Sequence, residues 1–151
     1  MKLSVMAVLL LMSCAASQSS KPATPWRIGI TTQGGITGRG NGNWAIGSDG
    51  KVEITAFGGR SCTFDATAAE RARFETLLAN ARTDTWQASY VPENRCCDRI
   101  EYTMTIEEGG VQKKVEWIDD PLPMPADLTA IVNAMSGAAP SLRTEYGDKC
   151  R

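Results

Sequence analysis

The sequence contains five cysteines and no histidine, and these two facts bound the chemistry open to it. Without an imidazole there can be no Ser-His-Asp triad, no Cys-His nucleophile pair and no HExxH metal site. Four of the cysteines form an even set that suits two disulfides in an oxidising compartment: Cys62, Cys96, Cys97 and Cys150. We expect Cys62 to pair with one of the two neighbours and Cys150 with the other, because a ring closed between adjacent cysteines is strained.

Each disulfide would stabilise the fold by about 4 kcal/mol through the loop that it closes. The competing interpretation is a four-cysteine zinc site, but the spacing lacks a CxxC knuckle, and neighbouring cysteines seldom both reach one tetrahedral ion. A redox-active thiol is also disfavoured, since Cys96 and Cys97 lack the two-residue separation of a thioredoxin motif. The sequence therefore predicts structural disulfides and neither a metal nor another cofactor.

Carboxylates and glycines offer further candidate chemistry. Acids cluster toward the C-terminal half, where a suitably spaced pair could serve glycoside hydrolysis: Glu107, Glu108, Glu116, Asp119 and Asp120. The strand pattern places Glu107 and Glu116 on a polar sheet face, where solvated charges are expected. Asp119 and Asp120 lack the ligand run of a calcium loop, and the glycines between Gly38 and Gly42 lack the spacing of a phosphate cradle. The chain is accordingly predicted not to be an enzyme.

The length and charge of the chain narrow its partners. The 151 residues suit a single domain, and 16 basic against 17 acidic residues leave a net charge of −1. This charge gives no electrostatic basis for binding nucleic acid. The partner is therefore expected to be neither DNA nor RNA, and the oligomeric state is left open.

The first residues resemble a bacterial lipoprotein signal. A basic start and an apolar run too short to span a bilayer lead to Leu11-Met12-Ser13-Cys14, which is similar to a lipobox. The resemblance implies that residues 1–13 are removed and that Cys14 carries diacylglycerol in the membrane of the cell envelope, with Ala15 favouring the outer membrane. Residues 14–25 are small and polar and predict a flexible tether. The alternative is a secretory signal cleaved after Ala16.

Residues 26–151 are predicted to form one α+β domain. Its sheet is antiparallel with about five strands, two helices pack on one face, and the order is β-β-β-α-β-β-α. The first helix is predicted from Thr67, which opens a capping box, to about Arg82, and the second from Pro125 to Gly137.

The apolar alternation also predicts the register of two hairpins. A three-residue turn ending at Gly50 would set Ile46 opposite Val52 and Trp44 opposite Ile54. A turn centred on the two glycines at 109 and 110 would set Tyr102 opposite Trp117, Met104 opposite Val115, Thr105 opposite Lys114 and Thr103 opposite Glu116. Between the hairpins, Trp86 and Tyr90 lie outside regular elements, so exposure for recognition is an alternative to burial for both.

Taken together, several short segments resemble the emfourin-type proteins, which inhibit thermolysin-like metalloproteases. They are residues 28–38, the helix after Thr67, Asp98 before the strand 101–106, residues 117–119 and the final helix from Pro125. The resemblance implies a contact loop comprising Gln33, Gly34, Gly35, Ile36, Thr37 and Gly38. The lipobox, the extra Asp-Gly hairpin and the four cysteines depart from that pattern.

The function expected from these features is that of a non-catalytic envelope lipoprotein that binds another protein, with a secreted or envelope metalloprotease as the partner implied by the resemblance. The alternative is a structural or ligand-carrying envelope module without a protease partner.

Overall fold

The computed structural model describes residues 24–36, 42–55, 61–94 and 98–146, with side chains described as far as Ser136. The signal sequence, Cys14 and most of the predicted tether lie outside these residues. The same is true of Thr37, Gly38, Cys96, Cys97 and Cys150. The described part is an α+β fold in which a six-stranded antiparallel sheet carries two helices.

The elements follow one another along the chain as β1 (Trp26–Gly34), β2 (Asn43–Gly47), β3 (Lys51–Thr55), β4 (Ser61–Asp65), α1 (Ala68–Ala79), a 3₁₀ turn (Thr83–Thr85), β5 (Ile100–Glu108), β6 (Val111–Ile118) and α2 (Ala126–Tyr146). Across the sheet the strand order is β4-β3-β2-β1-β5-β6. Strand β1 therefore lies inside the sheet and joins the two predicted hairpins.

The sheet contains one strand more than the sequence predicted, because four strands precede the first helix. The missing strand is β4, whose register places Phe64 opposite Val52 and Cys62 opposite Ile54. Only these two side chains of β4 face the core, and three exposed polar residues alternate with them. Two apolar positions are too few to give a recognisable alternation, and the strand forms because β3 offers it a partner edge.

Both predicted hairpin registers are confirmed. Ile46 lies opposite Val52 and Trp44 opposite Ile54, with Gly50 in the left-handed region at a φ of 78°. In the second hairpin Tyr102 lies opposite Trp117, and the other three predicted pairs also form: Met104 with Val115, Thr105 with Lys114, and Thr103 with Glu116. Gly109 and Gly110 both have positive φ, as a two-residue turn between twisted strands requires.

The helices begin where the sequence indicated and end elsewhere. Thr67 and Glu70 form the predicted capping box, but α1 ends at Ala79, with Asn80 as its C-cap, and not at Arg82. The second helix begins one residue after Pro125 and continues through Gly137 to Tyr146, so the prediction that Gly137 ends it was wrong. An interior glycine weakens a helix by about 1 kcal/mol, which is too little to stop one.

One core lies between the helices and a single face of the sheet. Leu128, Ile131 and Met135 from α2 are completely buried, and Phe74 and Leu78 from α1 join them. They pack on the inward row of the four inner strands and β6: Ile28, Ile30, Ile46, Val52, Met104, Ile106, Val115 and Trp117. The opposite face of the sheet is mostly polar. No helix in the described ranges combines the length and apolarity needed to cross a membrane.

Candidate functional site

The predicted contact loop begins inside the sheet. Gln33 and Gly34 are the last residues of β1, and only Gly35 and Ile36 of the described residues lie beyond it. Gly34 and Gly35 have φ angles of 82° and 69°, and the Gly35 amide donates to the Arg99 carbonyl at 2.9 Å. A β-carbon on Gly34 would come within 2.5 Å of that same carbonyl oxygen. Glycine is therefore required here both by the backbone angle and by the close approach of the chain before β5.

The returning side of the loop is held by Thr32, a buried polar residue on β1. Its hydroxyl donates to the Gly42 carbonyl at 2.7 Å, and its amide donates to the Asn43 side-chain oxygen at 3.2 Å. These two bonds join the last residues of β1 to Gly42 and to Asn43, the first residue of β2. The two ends of the loop thus rise from a fixed base formed by β1, β2 and the start of β5.

Ile36 projects from this base and is 90% exposed, more than any other large apolar side chain in the described residues. Polar side chains at the end of β1 and around the start of β5 are paired with one another. Gln33 donates to Glu101 at 2.6 Å, and the Arg99 guanidinium lies 4.0 Å from the Asp120 carboxylate. An exposed aliphatic side chain next to a hydrogen-bonded base is suited to contact with another protein.

Asp119, one of the candidate catalytic or calcium-binding acids, links the two strands of the second hairpin. It accepts a hydrogen bond from the Ile100 amide at 3.0 Å and another from the Tyr102 hydroxyl at 2.9 Å. Burial, reinforced by the hydrogen bond to Asp119 and its charge, raises the pKa of Tyr102 to about 12. The Tyr102 ring stacks on Trp117 with their centroids 5.3 Å apart. Asp119 therefore has a structural role at the open end of the hairpin.

The remaining acids are dispersed along the polar face of the sheet. Glu107 accepts from Gln112 at 2.9 Å, and Glu116 pairs with Lys114 at 2.7 Å. Because Gln112 lies opposite Glu107 and four residues before Glu116, the two acids are separated by about 13 Å along the strands. Glycosidase carboxylates are about 5 to 9.5 Å apart. Glu108 and Asp120 are exposed.

The open face of the sheet also holds a depression of about 190 Å³ above Gly29 and Ala45. The charged groups at its border, Arg27 and Glu53, are joined to each other at 2.6 Å. Gly29 and Ala45 line its bottom, and the exposed ion pair between Arg27 and Glu53 lies at its side. This depression brings together no set of groups with an evident catalytic use.

Trp86 and Tyr90 are buried, with 4% and 3% of their surfaces exposed, so the alternative that either is displayed for recognition was wrong. Trp86 donates from its indole nitrogen to Asp127 at 3.2 Å. Tyr90 lies in a segment that adds hydrogen bonds to the outer edge of β6, through its amide to the Glu116 carbonyl at 2.8 Å. The segment covers a sheet edge with residues 87–89 exposed and the two aromatic side chains turned inward, which the absence of regular periodicity could not indicate.

Of the four cysteines predicted to form disulfides, only Cys62 lies within the described residues. Cys62 lies half-buried on the core side of β4 and is in a disulfide. Its partner lies outside the described residues, so the predicted pairing stays a prediction. Among the described residues, no three Cys, Asp or Glu side chains lie close enough together to hold a metal ion.

Two features at the site were not predicted from the sequence. The first is the clamp formed by Thr32 and Asn43, and the second is the role of Asp127, which accepts from the Arg82 amide at 2.8 Å as well as from Trp86. Asp127 lies in the first turn of α2, where an acid is favourable near the helix N-terminus. Its partners come from a segment about 40 residues earlier, and no local pattern links the two.

Comparison with protein-family models, with curated proteins and with solved structures finds no match to this chain.

Proposed function

We propose that this chain is a non-catalytic lipoprotein of the bacterial envelope, anchored through Cys14, that binds another protein through the loop beginning at Gln33. The observation that carries this proposal is the 90% exposure of Ile36 on a base that is fixed at both ends. The structural hydrogen bonds and ion pairs made by Glu107, Glu116 and Asp119 support a role in binding over a role in catalysis.

The fixed base favours binding because less conformational freedom is lost when the partner engages the loop. Ile36 would contribute its apolar surface. Burying a side chain of this size contributes about 1.5–3 kcal/mol, which corresponds to roughly a tenfold to hundredfold change in affinity. The paired polar groups at the base of the loop, Gln33 with Glu101 and Arg99 with Asp120, would form the rim of the contact.

A thermolysin-like metalloprotease is the first partner to test, because the emfourin resemblance includes the same loop. The mature lipidated protein, in detergent at micromolar concentration, is expected to inhibit proteases of this class or a protease encoded beside it. The variant Ile36→Asp should lose the inhibition. Val111→Ser is the control, since Val111 is the second strongly exposed aliphatic residue among those described, at 74%, and lies at a different turn.

If these proteases stay fully active, the inhibitory part of the proposal is wrong. A pull-down from envelope extract then tests binding itself, with bound proteins identified by mass spectrometry. A protein captured by the wild type and by Val111→Ser, but not by Ile36→Asp, is the expected result. Identical capture by all three forms would overturn the assignment of the loop as the contact site.

A further inference from the structure

Cys62 is in a disulfide, and the geometry of the sheet narrows the choice of its partner. It lies on β4, at one edge of the sheet, and faces the core side opposite Ile54. The other four cysteines of the chain all lie outside the described residues: Cys14, Cys96, Cys97 and Cys150. The positions of their described neighbours limit which of them can reach Cys62.

Four strand spacings separate Cys62 from β5. The residues that stand opposite one another across the sheet, one from each strand from β4 to β5, are Cys62, Ile54, Trp44, Ile30 and Met104. Neighbouring strands lie about 4.8 Å apart, so the first and the last of this row are about 19 Å apart.

The chain before β5 lies farther away still. Arg99 is five residues before Met104, and its carbonyl accepts from the Gly35 amide at 2.9 Å, so Arg99 continues the line of the strand. These five residues add about 17 Å at right angles to the row. The α-carbons of Arg99 and Cys62 are therefore about 25 Å apart.

This distance is too long for the two adjacent cysteines. Cys97 is two residues and Cys96 three residues before Arg99. A fully extended chain, with up to about 6.8 Å between the α-carbons of a disulfide, covers about 14 Å from Cys97 and about 18 Å from Cys96. Curvature of the sheet does not close the gap, because Cys96 comes within reach only if the four strand spacings span about 6 Å in place of about 19 Å.

Helix α2 leads towards β4 instead. At its start, Asp127 accepts from Trp86, whose carbonyl accepts from Lys113 on β6 at 2.9 Å. Two turns later, Met135 lines a small apolar cavity together with Val52 of β3. The helix therefore crosses the core from the β6 side of the sheet to β3, and β4 is the next strand beyond.

The C-terminal end of α2 brings Cys150 within reach of β4. The helix continues without interruption for eleven residues from Met135 to Tyr146, a length of about 17 Å. The cavity beside Met135 is also lined by Trp44, which is two strand spacings, or about 10 Å, from Cys62 in the same row. Cys150 follows Tyr146 by four residues, which can span up to about 14 Å.

We infer that Cys62 is joined to Cys150, so that the C-terminal end of the chain is covalently attached to the edge strand β4. This pairing differs from the one expected from the sequence, in which Cys62 takes Cys96 or Cys97. Cys14 has enough chain to reach Cys62, and here alone the inference rests on the proposed function, which places diacylglycerol on the Cys14 sulfur.

The bond forms by thiol-disulfide exchange. The Cys62 and Cys150 thiols each lose one proton and one electron, and an oxidised disulfide carrier of the exporting compartment is reduced to its dithiol. The cross-link holds the C-terminal end of α2, as the two hydrogen bonds to Asp127 hold its start. It closes a loop of roughly 90 residues, which stabilises the fold by restricting the unfolded chain.

Peptide mapping of the wild-type protein identifies the partner directly. The full chain is exported with its own signal, its free thiols are blocked with N-ethylmaleimide, and it is digested with trypsin without reduction. Cleavage after lysine and arginine places Cys62 in residues 61–71, Cys150 in residues 150–151, Cys96 and Cys97 together in residues 96–99, and Cys14 in a peptide that ends at Arg27. Each possible partner therefore adds a different mass to the peptide 61–71.

The expected result is the mass of residues 61–71 joined to residues 150–151. The same mass should persist in the control that combines Cys96→Ser with Cys97→Ser. Attachment of residues 61–71 to residues 96–99, or recovery of residues 61–71 unlinked, would overturn the pairing and leave the proposed function untouched. Attachment to the peptide that contains Cys14 would overturn both the pairing and the lipid anchor.

Thermal unfolding gives a second measurement of the cross-link. Cys62→Ser and Cys150→Ser should each lower Tm by the same amount, roughly 10 °C, and the double variant by no more than either single change. Cys150→Ser with the Tm of the wild type, or losses that add in the double variant, would contradict a bond between the two sulfurs.

Discussion

Asp127 joins the start of α2 to the segment after α1 through two hydrogen bonds. The hydrogen bond from the Arg82 amide is the main cause that lowers its pKa, and the bond from the Trp86 indole adds to it. We expect Asp127→Ala to lower the free energy of unfolding by about 1 kcal/mol at neutral pH, because the buried Trp86 donor loses its acceptor. Denaturant titration followed by tryptophan fluorescence measures the change.

The pH dependence of that change follows from the direction of the shift. A carboxyl group whose pKa is lowered on folding stabilises the protein above its ordinary pKa, and the contribution is lost as pH falls through the lower folded value. The deficit of Asp127→Ala relative to the wild type should therefore shrink in acid. Asp84→Ala, which removes an exposed acid from the nearby 3₁₀ turn, is the control and should change little at any pH. A deficit that is the same at neutral and strongly acidic pH would contradict the role given to the carboxylate.

The titration of the Tyr102 phenol tests its hydrogen bond to Asp119. Its pKa is raised from 10.0 to about 12, first by burial and then by the hydrogen bond and charge of Asp119. Ultraviolet titration of the phenolate should show a lower pKa for Tyr102 in Asp119→Asn, still above the ordinary value because the burial remains. Since the folded state prefers the protonated phenol, its contribution to stability is complete below pH 10 and declines as the pH rises toward 12. Asp120→Asn should leave this titration unchanged, and an equal shift in both variants would assign the effect to general charge.

Two glycines at the ends of strands have nearly the same φ but different surroundings. Substituting each one distinguishes the cost of backbone strain from the cost of a steric clash. Gly34 has a φ of 82° and would bring a β-carbon within 2.5 Å of the Arg99 carbonyl, whereas Gly110 has a φ of 84° and open space around it. We expect Gly110→Ala to lower the free energy of unfolding by about 1–2 kcal/mol, the penalty of the left-handed conformation alone. Gly34→Ala should lower it further, because the end of β1 must move away from the chain before β5.

Thermal and denaturant unfolding of the two variants gives the comparison. Equal losses would mean that the close approach at Gly34 is relieved without disturbing the loop base. A larger loss in Gly34→Ala, accompanied by weaker partner binding, would link the position of the loop to its attachment at Arg99.

The elements that could be predicted from the sequence are those with a local signal. Glycines at the turns and strict alternation fixed the registers of the β2–β3 and β5–β6 hairpins, and Thr67 with Glu70 marked the start of α1. Strand β4 could not be predicted because only two of its five residues are apolar, and the burial of Trp86 and Tyr90 could not be predicted because it depends on β6, which is distant in sequence. The loop was expected from the emfourin resemblance, whereas its attachment to the Arg99 carbonyl joins residues distant in sequence and had no local signal.

In the molecule as a whole, the two faces of the sheet are expected to contribute unequally to the free energy of unfolding. Arg27 and Ile28 are adjacent on β1 and face opposite sides: Arg27 is paired with Glu53 on the open face, and Ile28 is completely buried under the helices. Ile28→Ala removes packed atoms from the core and should lower the free energy of unfolding by about 2–5 kcal/mol. Arg27→Gln breaks an exposed ion pair and should lower it by less than about 1 kcal/mol.

Denaturant unfolding at low and high salt distinguishes the two contributions, since salt screens exposed charges and leaves the packing of the core almost unaffected. The small effect of Arg27→Gln should diminish further at high salt, and the effect of Ile28→Ala should persist. If the core supplies the stability in this way, substitutions at Ile36 and on the open face should leave the protein folded. A loss in Arg27→Gln as large as that in Ile28→Ala would contradict this division and would require the polar face to be treated as part of the stabilising structure.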